Sequence, residues 1–171
     1  GSATLGDISN TTKDVTVSKI EAKATKGVAT LGDVNYTGAA TFDGKIENIS
    51  VTSTGTAAIT DKTQTGTIVA DKLGTVTVSS EKGAAEIGAV TVAGSTTDFT
   101  DGTITSLNAS AFGAAAIGVI KADAIGSIVV TSSDSVTGGA VSLGNITDGS
   151  GTTAKGTVGT VTVSAANGAV T

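Results

Sequence analysis

Residues 73–92 read LGTVTVSSEKGAAEIGAVTV and contain one short phrase twice. Each copy begins with an aliphatic residue and a glycine, at Leu73 and at Ile87, and continues into a run in which every second residue is valine. A period of two is typical of a β-strand that is buried on one face. The stretch therefore predicts two successive strands, one in each copy of the phrase.

The start of the phrase does not fit a regular strand. Leu73 and Val76 are both apolar but lie three positions apart, and such residues point to opposite faces of a strand. The chain must therefore bend or bulge between them, and Gly74 has no Cβ to hinder a tight backbone approach or a positive φ. We interpret Leu73-Gly74 as a corner that leads into a strand over residues 75–78.

Copies of the phrase, some of them weakened, recur along the chain. Their spacings cluster at about 14 residues or about twice that number, which is typical of stacked repeats. Polar glycine-containing segments such as residues 80–83 separate the copies, as turns would. The clear copies begin at Leu5, Leu31, Ile46, Leu73, Ile87, Ile117, Ile125, Leu143 and Val158, and the weaker ones include Val17, Gly66 and Ile104.

Two all-β architectures fit this pattern. The first is a parallel β-solenoid, or β-helix, of about six coils, each with two phrases and about 28 residues. In it Val76 stacks near Val90 and Val78 near Val92, with rungs about 4.8 Å apart. The second is an antiparallel β-sandwich, which needs no strict period. The near-identical phrases and the recurrent glycine corner favour the solenoid.

The chain has the length of one domain, with 171 residues and a mass of 16.3 kDa. Residues 3–171 are predicted to be a single repetitive all-β domain, in which residues 150–156 are the most linker-like. A helix is conceivable only over residues 109–116, where alanine is frequent. Gly1 and Ser2 resemble the remnant of an expression tag, and we expect the chain to be a fragment of a longer protein.

The composition excludes most catalytic chemistry. The chain contains no His and no Cys, so neither a Ser-His-Asp triad nor a thiol nucleophile can form, and we predict that it is not an enzyme. Carboxylate pairs remain conceivable from Asp98 with Asp101, or from Asp71 with Glu86, but we interpret these residues as solvated turn residues. A polysaccharide-cleaving β-helix would need clustered carboxylates with Arg or Lys, and Arg is absent.

Charge and hydropathy exclude two classes of partner. All ten basic residues are lysines and the net charge is −5, so the bidentate Arg contacts typical of nucleic-acid recognition are missing. Aromatic residues make up 2 per cent of the chain, which leaves little for base stacking. No apolar run has the length of a membrane-spanning helix. We therefore predict no nucleic acid as partner and no membrane span.

A hard cation is the one metal that the sequence could bind. Carboxylates in loops coordinate Ca²⁺ together with backbone carbonyls. The candidates are Asp98, Asp101 and Asp148, with Asp134 as a further contributor. These carboxylates are sparser along the sequence than those of a dedicated calcium site. We expect no other cofactor.

Five of the six asparagines lie in Asn-x-Ser/Thr sequons. Because Ser and Thr are frequent, one or two sequons would arise by accident, but five exceed that number. We predict N-glycosylation, which would place the chain outside the cell. The candidate sites are Asn10, Asn35, Asn48, Asn108 and Asn145.

Three threonine pairs flank a single apolar residue. They are Thr75 with Thr77, Thr103 with Thr105, and Thr160 with Thr162. On a solenoid they could form flat ladders that bind ice or a crystalline polysaccharide. The simpler interpretation is that outward β-branched residues stabilise the sheet.

The phrases at residues 87–92, 125–130 and 158–163 resemble the repeated strand units of large prokaryotic surface-layer proteins and β-helical adhesin passengers. The bias toward Ala, Gly, Thr and Val without Cys is similar as well. The resemblance implies an extracellular role in assembly or adhesion, and it supplies no site residues. The chain differs from calcium-binding repeats because it lacks tandem Gly-Gly-x-Gly-x-Asp runs.

These observations predict a structural component of an extracellular assembly at the cell surface, a surface-layer or filament subunit that acts by stacking and self-association. The alternative is an adhesin or a module that binds carbohydrate or another surface. The expected partners are further copies or neighbouring segments of the same protein, and a surface polysaccharide is the other candidate.

Overall fold

The structure is a computed structural model that describes residues 1–11, 15–37, 44–55, 61–92, 102–148 and 156–171. The described residues form strands, turns and bends but no helix. Every strand pairing among them is parallel, and the strands assemble into three sheets. The predicted parallel β-solenoid is therefore confirmed, and the antiparallel sandwich is wrong.

Two of the sheets consist of short strands. Sheet A contains β1 (Ala3–Leu5), β5 (Ala29–Leu31), β8 (Lys62–Thr65), β11 (Ala84–Ile87), β14 (Ala115–Ile117) and β17 (Val141–Leu143). Sheet B contains β2 (Ile8–Asn10), β6 (Val34–Tyr36), β9 (Ile68–Ala70), β12 (Val90–Val92), β15 (Ile120–Ala122) and β18 (Ile146–Asp148).

The third sheet carries the long strands. Sheet C contains β3 (Thr16–Val17), β4 (Ile20–Ala24), β7 (Lys45–Ser53), β10 (Lys72–Ser80), β13 (Thr103–Ala111), β16 (Ala124–Ser132) and β19 (Thr157–Ala165). Strands β3 and β4 both pair with β7, so together they fill the first position of this sheet.

Each coil contributes one strand position to every sheet, so the described strands form six coils, the number predicted. The coils differ in length: a short coil leads from Leu107 to its partner Ile128, whereas a long coil leads from Val34 to its partner Ile68. The difference arises in the connections between sheets B and C and in those between sheets C and A, both of which vary in length from coil to coil. The predicted length of about 28 residues per coil lies between these two extremes.

The core consists of inward side chains that lie above one another in columns. In sheet C one column is almost fully buried from Ile20 to Ile128. Because most coils add an aliphatic side chain to this column, aliphatic residues fill most of the interior, and Tyr36 is a buried aromatic residue among them. The column contains Ile20, Ile49, Val76, Leu107, Ile128 and Val161.

The two copies of the phrase in residues 73–92 do not stack on each other. Val76 pairs with Ile49 and Leu107 in sheet C, whereas Val90 pairs with Ile68 and Ile120 in sheet B. The predicted stacking of Val76 on Val90, and of Val78 on Val92, is therefore wrong. The two copies lie on different walls of one coil because a coil needs two phrases to close.

Gly74 lies within β10, so the predicted corner at Leu73-Gly74 is wrong. Leu73 and Val76 are nevertheless both buried, as the predicted bend or bulge between them requires. Gly74 has no positive φ, and a Cβ there would collide with the backbone oxygen of Glu47. The glycine serves a close approach between coils.

The alanine-rich residues 109–116 form no helix. Strand β13 continues to Ala111, a bend follows, and β14 begins at Ala115. Ala109, Ala111 and Ala115 are buried, so this stretch follows the columns of the neighbouring coils and tertiary packing overrides helix propensity. The linker-like residues 150–155 lie outside the described part of the chain.

Candidate functional site

The outer face of sheet C carries an ordered array of small polar side chains, which we call the hydroxyl face. It has three outward columns over five coils, and twelve of the fifteen side chains are Ser or Thr. None of the fifteen is charged. The columns are Asn48, Thr75, Ser106, Ser127 and Thr160; Ser50, Thr77, Asn108, Val129 and Thr162; and Thr52, Ser79, Ser110, Thr131 and Ser164.

The array follows from the strand period. Every second residue of a sheet C strand faces outward, and neighbouring coils place those residues about 4.8 Å apart. Two of the predicted threonine pairs, Thr75 with Thr77 and Thr160 with Thr162, lie on this face in equivalent positions. The third pair does not, because Ser106 rather than Thr105 pairs with Thr75.

Sequence reasoning missed most of the hydroxyl face because it looked only for threonine. Ser50, Ser79, Ser106 and Ser110 occupy the same columns as the threonines. A search for Ser or Thr at alternating positions, aligned on the bend rather than on the phrase, would have found them.

The two ends of the solenoid form a second candidate site. The last strand, β19, exposes Val158 by 46 per cent and Val161 by 44 per cent. Their column neighbours in the preceding coil, Ile125 and Ile128, are 3 and 0 per cent exposed. At the first coil, Leu5 is 37 per cent exposed. The end at β19 therefore presents core columns that no further coil covers within the described chain, whereas Ile20 and Ala22 in β4 of the first coil are each 5 per cent exposed.

Two buried aspartates support the corners between sheets B and C. The amide of Gly44 donates to Asp71 Oδ2 at 3.1 Å, and the amide of Gly102 donates to Asp123 Oδ2 at 2.9 Å. Each aspartate belongs to a coil with a short corner, and each glycine precedes the sheet C strand of the coil before it. Sequence reasoning missed this role, although both aspartates follow Ala and precede an x-aliphatic-Gly segment.

Asp134 organises the turn after β16. It accepts hydrogen bonds from the amides of Val136 and Thr137, both at 2.9 Å, and from the Thr137 hydroxyl. These donors, the Thr137 hydroxyl first, hold the pKa of Asp134 below the ordinary aspartate value. The carboxylate is thus engaged by its own turn.

The calcium candidates remain only partly placed. Asp98 and Asp101 lie outside the described residues, and Asp148 ends β18. In the described ranges, no three acidic side chains come together as a metal site. Calcium binding by Asp98, Asp101 and Asp148 stays a prediction.

The second carboxylate pair is separated by different partners. Asp71 accepts the Gly44 amide, whereas Glu86 lies on the outer face of sheet A and pairs with Lys62 Nζ at 2.7 Å. Asp98 and Asp101, the first pair, fall outside the described part of the chain.

The five sequon asparagines occupy different environments. Asn35, Asn48 and Asn145 are exposed. Asn10 lies in an inward column opposite Tyr36, and Asn108 is half-buried on the hydroxyl face with a buried Oδ1 that has no hydrogen-bond partner. The first three are therefore the accessible candidates for glycosylation.

A scan with protein-family models finds no match to the chain, and comparisons with curated proteins and with solved structures find none either. Within the described ranges, no helix is long and apolar enough to span a membrane.

Proposed function

We propose that the protein is a structural component of an extracellular assembly, a surface-layer or filament subunit, and that it acts by stacking and self-association. The observation that carries the proposal is the exposure of core columns at the end formed by β19. A column that is almost fully buried at Ile128 continues to Val161, which is 44 per cent exposed. Covering such aliphatic groups is favourable, by about 25 cal/mol per Å² of apolar surface removed from water.

The two ends are complementary because the same core columns terminate at each of them. A second copy placed with β4 beside β19 would set its Ile20 next to Val161 and its Val17 next to Val158. Each contact would repeat an aliphatic pairing that the interior already makes. The stacked copy would also pair the outer backbone edge of β19, and unpaired strand edges are ready templates for such addition.

Stacking of this kind has no natural end. The first coil of one copy meets the last coil of another, so the interface is heterologous and generates an open filament unless the rotation closes a ring. A small stacked unit with aliphatic columns and no catalytic side-chain chemistry of the His or Cys type suits building material.

The exposed sequons support the extracellular part of the proposal. We expect glycans on native material at Asn35, Asn48 and Asn145, because these side chains are accessible. Peptide mass mapping of protein purified from its source tests this. Unmodified peptides at all three positions would remove the sequons as support for an extracellular location.

Disulfide trapping tests the stacking geometry. The chain has no cysteine, so Glu21→Cys combined with Thr162→Cys adds one thiol to each end of the same outward column. Stacked copies would bring these residues to adjacent rungs, within the Cα separation of about 4.4–6.8 Å that disulfides need. We expect covalent ladders on oxidation, and the matched control Asn35→Cys with Thr162→Cys should give none.

Charge at the end surface gives a second test. Val158→Lys and Val161→Lys should abolish concentration-dependent association in analytical ultracentrifugation, whereas Val129→Lys on the hydroxyl face should not. If the unsubstituted protein stays monomeric at high concentration, both with and without Ca²⁺, the proposal is contradicted.

A further inference from the structure

A shallow depression of about 350 Å³ lies at the edge of the hydroxyl face, around Phe112. The structure describes two aromatic side chains: Tyr36 is 3 per cent exposed, and Phe112 is 37 per cent exposed. Phe112 is thus the described aromatic ring that can contact a ligand. We call this site the Phe112 depression. The residues that line it include Ser79, Ser110, Thr131, Glu81, Phe112 and Ser133.

These six residues form two rows of three across neighbouring coils. Ser79 pairs with Ser110, and Ser110 pairs with Thr131, so their hydroxyls lie on successive rungs. Glu81, Phe112 and Ser133 each follow a sheet C strand by one residue and form the second row. Rungs lie about 4.8 Å apart, so the ring of Phe112 has a carboxylate on one side and a hydroxyl on the other.

The backbone of Phe112 is fixed. Its amide donates to the Ser80 carbonyl at 3.0 Å, and its carbonyl accepts the Ser132 hydroxyl at 3.2 Å. Because this segment is already ordered, ligand binding would incur little further cost in conformational entropy here.

The polar groups of the first row are available. The hydroxyls of Ser79, Ser110 and Thr131 make no hydrogen bond to another described residue. The Ser133 hydroxyl donates to the Ala111 carbonyl at 3.3 Å and keeps its acceptor lone pairs. The depression thus offers donors and acceptors around one apolar ring.

This combination excludes several ligand classes. Phosphate-bearing ligands would meet the Glu81 carboxylate with no basic side chain in the lining. An extended peptide could not add as a strand, because β10, β13 and β16 are already paired on both sides. The lining is mostly hydroxyl groups, which does not suit the apolar chain of a lipid. It contains a single carboxylate, which is too few for a cation site.

We propose that the Phe112 depression binds a neutral saccharide, with one pyranose ring of a glycan chain packed on the face of Phe112. The face of an aromatic ring carries partial negative charge, and the C–H groups of a pyranose are complementary to it. Sugar hydroxyls at the ring edge donate to Glu81 and exchange hydrogen bonds with Ser110 and Ser133. The column Thr52, Ser79, Ser110, Thr131 and Ser164 extends these contacts to neighbouring sugars.

Isothermal titration with soluble oligosaccharides tests the site. We expect the protein to bind at least one of cellohexaose, chitohexaose and β-1,4-mannohexaose, and to bind anionic hexagalacturonate at least about tenfold more weakly because of Glu81. Phe112→Ala should lower the affinity for the neutral ligand by about tenfold or more. Phe112→Trp should retain or raise that affinity. The matched control Val136→Ala removes a side chain that is 79 per cent exposed elsewhere and should change nothing.

Two further variants separate binding from folding. Glu81→Gln and Ser110→Ala change exposed or half-buried polar groups without removing core volume. Each should lower the affinity for the neutral hexasaccharide severalfold. Circular dichroism and the unfolding midpoint check that every variant is folded. Failure of the parent to bind any of the three neutral hexasaccharides would overturn the proposal. Unchanged affinity in Phe112→Ala, or in both polar variants, would overturn it as well.

Discussion

Residues 74–79 and 159–164 have the same sequence, GTVTVS, but different environments. The first copy lies in β10 with a strand on either side, and Val76 is fully buried. The second lies in β19, which pairs with β16 on one side, and Val161 is 44 per cent exposed. Identical residues therefore contribute to the core in one coil and to the end surface in another.

The difference shows that the burial of a side chain in this fold depends on whether coils lie on both sides of it, and not on the sequence of its own strand. A coil cannot cover its own aliphatic column, because the covering atoms come from the coils before and after it. Interior coils therefore hold the packed core of the solenoid, whereas the end coil leaves part of its aliphatic columns exposed.

The largest difference between the two copies should come from truncating their valines. Val76→Ala leaves a cavity in a packed column, and we expect it to lower the free energy of unfolding by about 3 kcal/mol. Val161→Ala removes methyl groups that are half in water and should cost less than about 1 kcal/mol. Urea unfolding of the monomer measures both. Equal costs would show that the end coil is as well covered as the interior.

A smaller difference should separate two corner glycines. A Cβ at Gly88 would collide with the backbone oxygen of Gly66 in the adjacent coil, whereas a Cβ at Gly6, in the first coil, meets nothing within 4 Å. We expect Gly88→Ala to destabilise by about 2 kcal/mol. Gly6→Ala should stay within about 0.5 kcal/mol of the parent. Thermal unfolding compares them, and a destabilised Gly6→Ala variant would count against the open first coil.

Acid should weaken the turn that connects the last interior coil to the end coil. The pKa of Asp134 is lowered in the folded state, so its stabilising contribution is present above the unfolded value of about 3.9 and is lost as the pH falls through the folded value. Asp134→Asn should remove this contribution to the loss of stability at acid pH, which we call the acid limb. Unfolding midpoints between about pH 5 and pH 2 measure it. An unchanged acid limb in Asp134→Asn would contradict this assignment.

The smallest effect should come from surface ion pairs. Lys62 and Glu86 join adjacent coils at 2.7 Å, whereas Lys45 and Glu47 lie in the same strand at 3.4 Å. Because all four side chains are well exposed, we expect a coupling of about 0.5 kcal/mol or less for the first pair and none for the second. Double-mutant cycles in low salt compare them. A larger coupling within the strand would show that coil contact is not what matters.

Much of the fold could be predicted from the residues. Alternation in the GTVTVS segments identified strands, the spacing of Leu73 and Val76 required a bend, and the recurrence gave six coils. Each of these features depends on residues a few positions apart, where the strand period alone decides the geometry.

The candidate sites were less predictable. The Phe112 depression depends on Glu81 and Ser133, which belong to the coils before and after Phe112 and lie far from it in the sequence. Their alignment depends on how many residues each coil spends between sheets B and C, and those connections vary. Asp71 and Asp123 could have been paired with their glycines only once the neighbouring coils were known.

The sequence by itself determined a stack of aliphatic strands without His or Cys chemistry, because period and composition are properties of short segments. Only the tertiary structure decided which phrase covers which, since the contacts join residues that are a whole coil apart and the coils are of unequal length. For the same reason it alone decided that one GTVTVS segment is core and the other is surface.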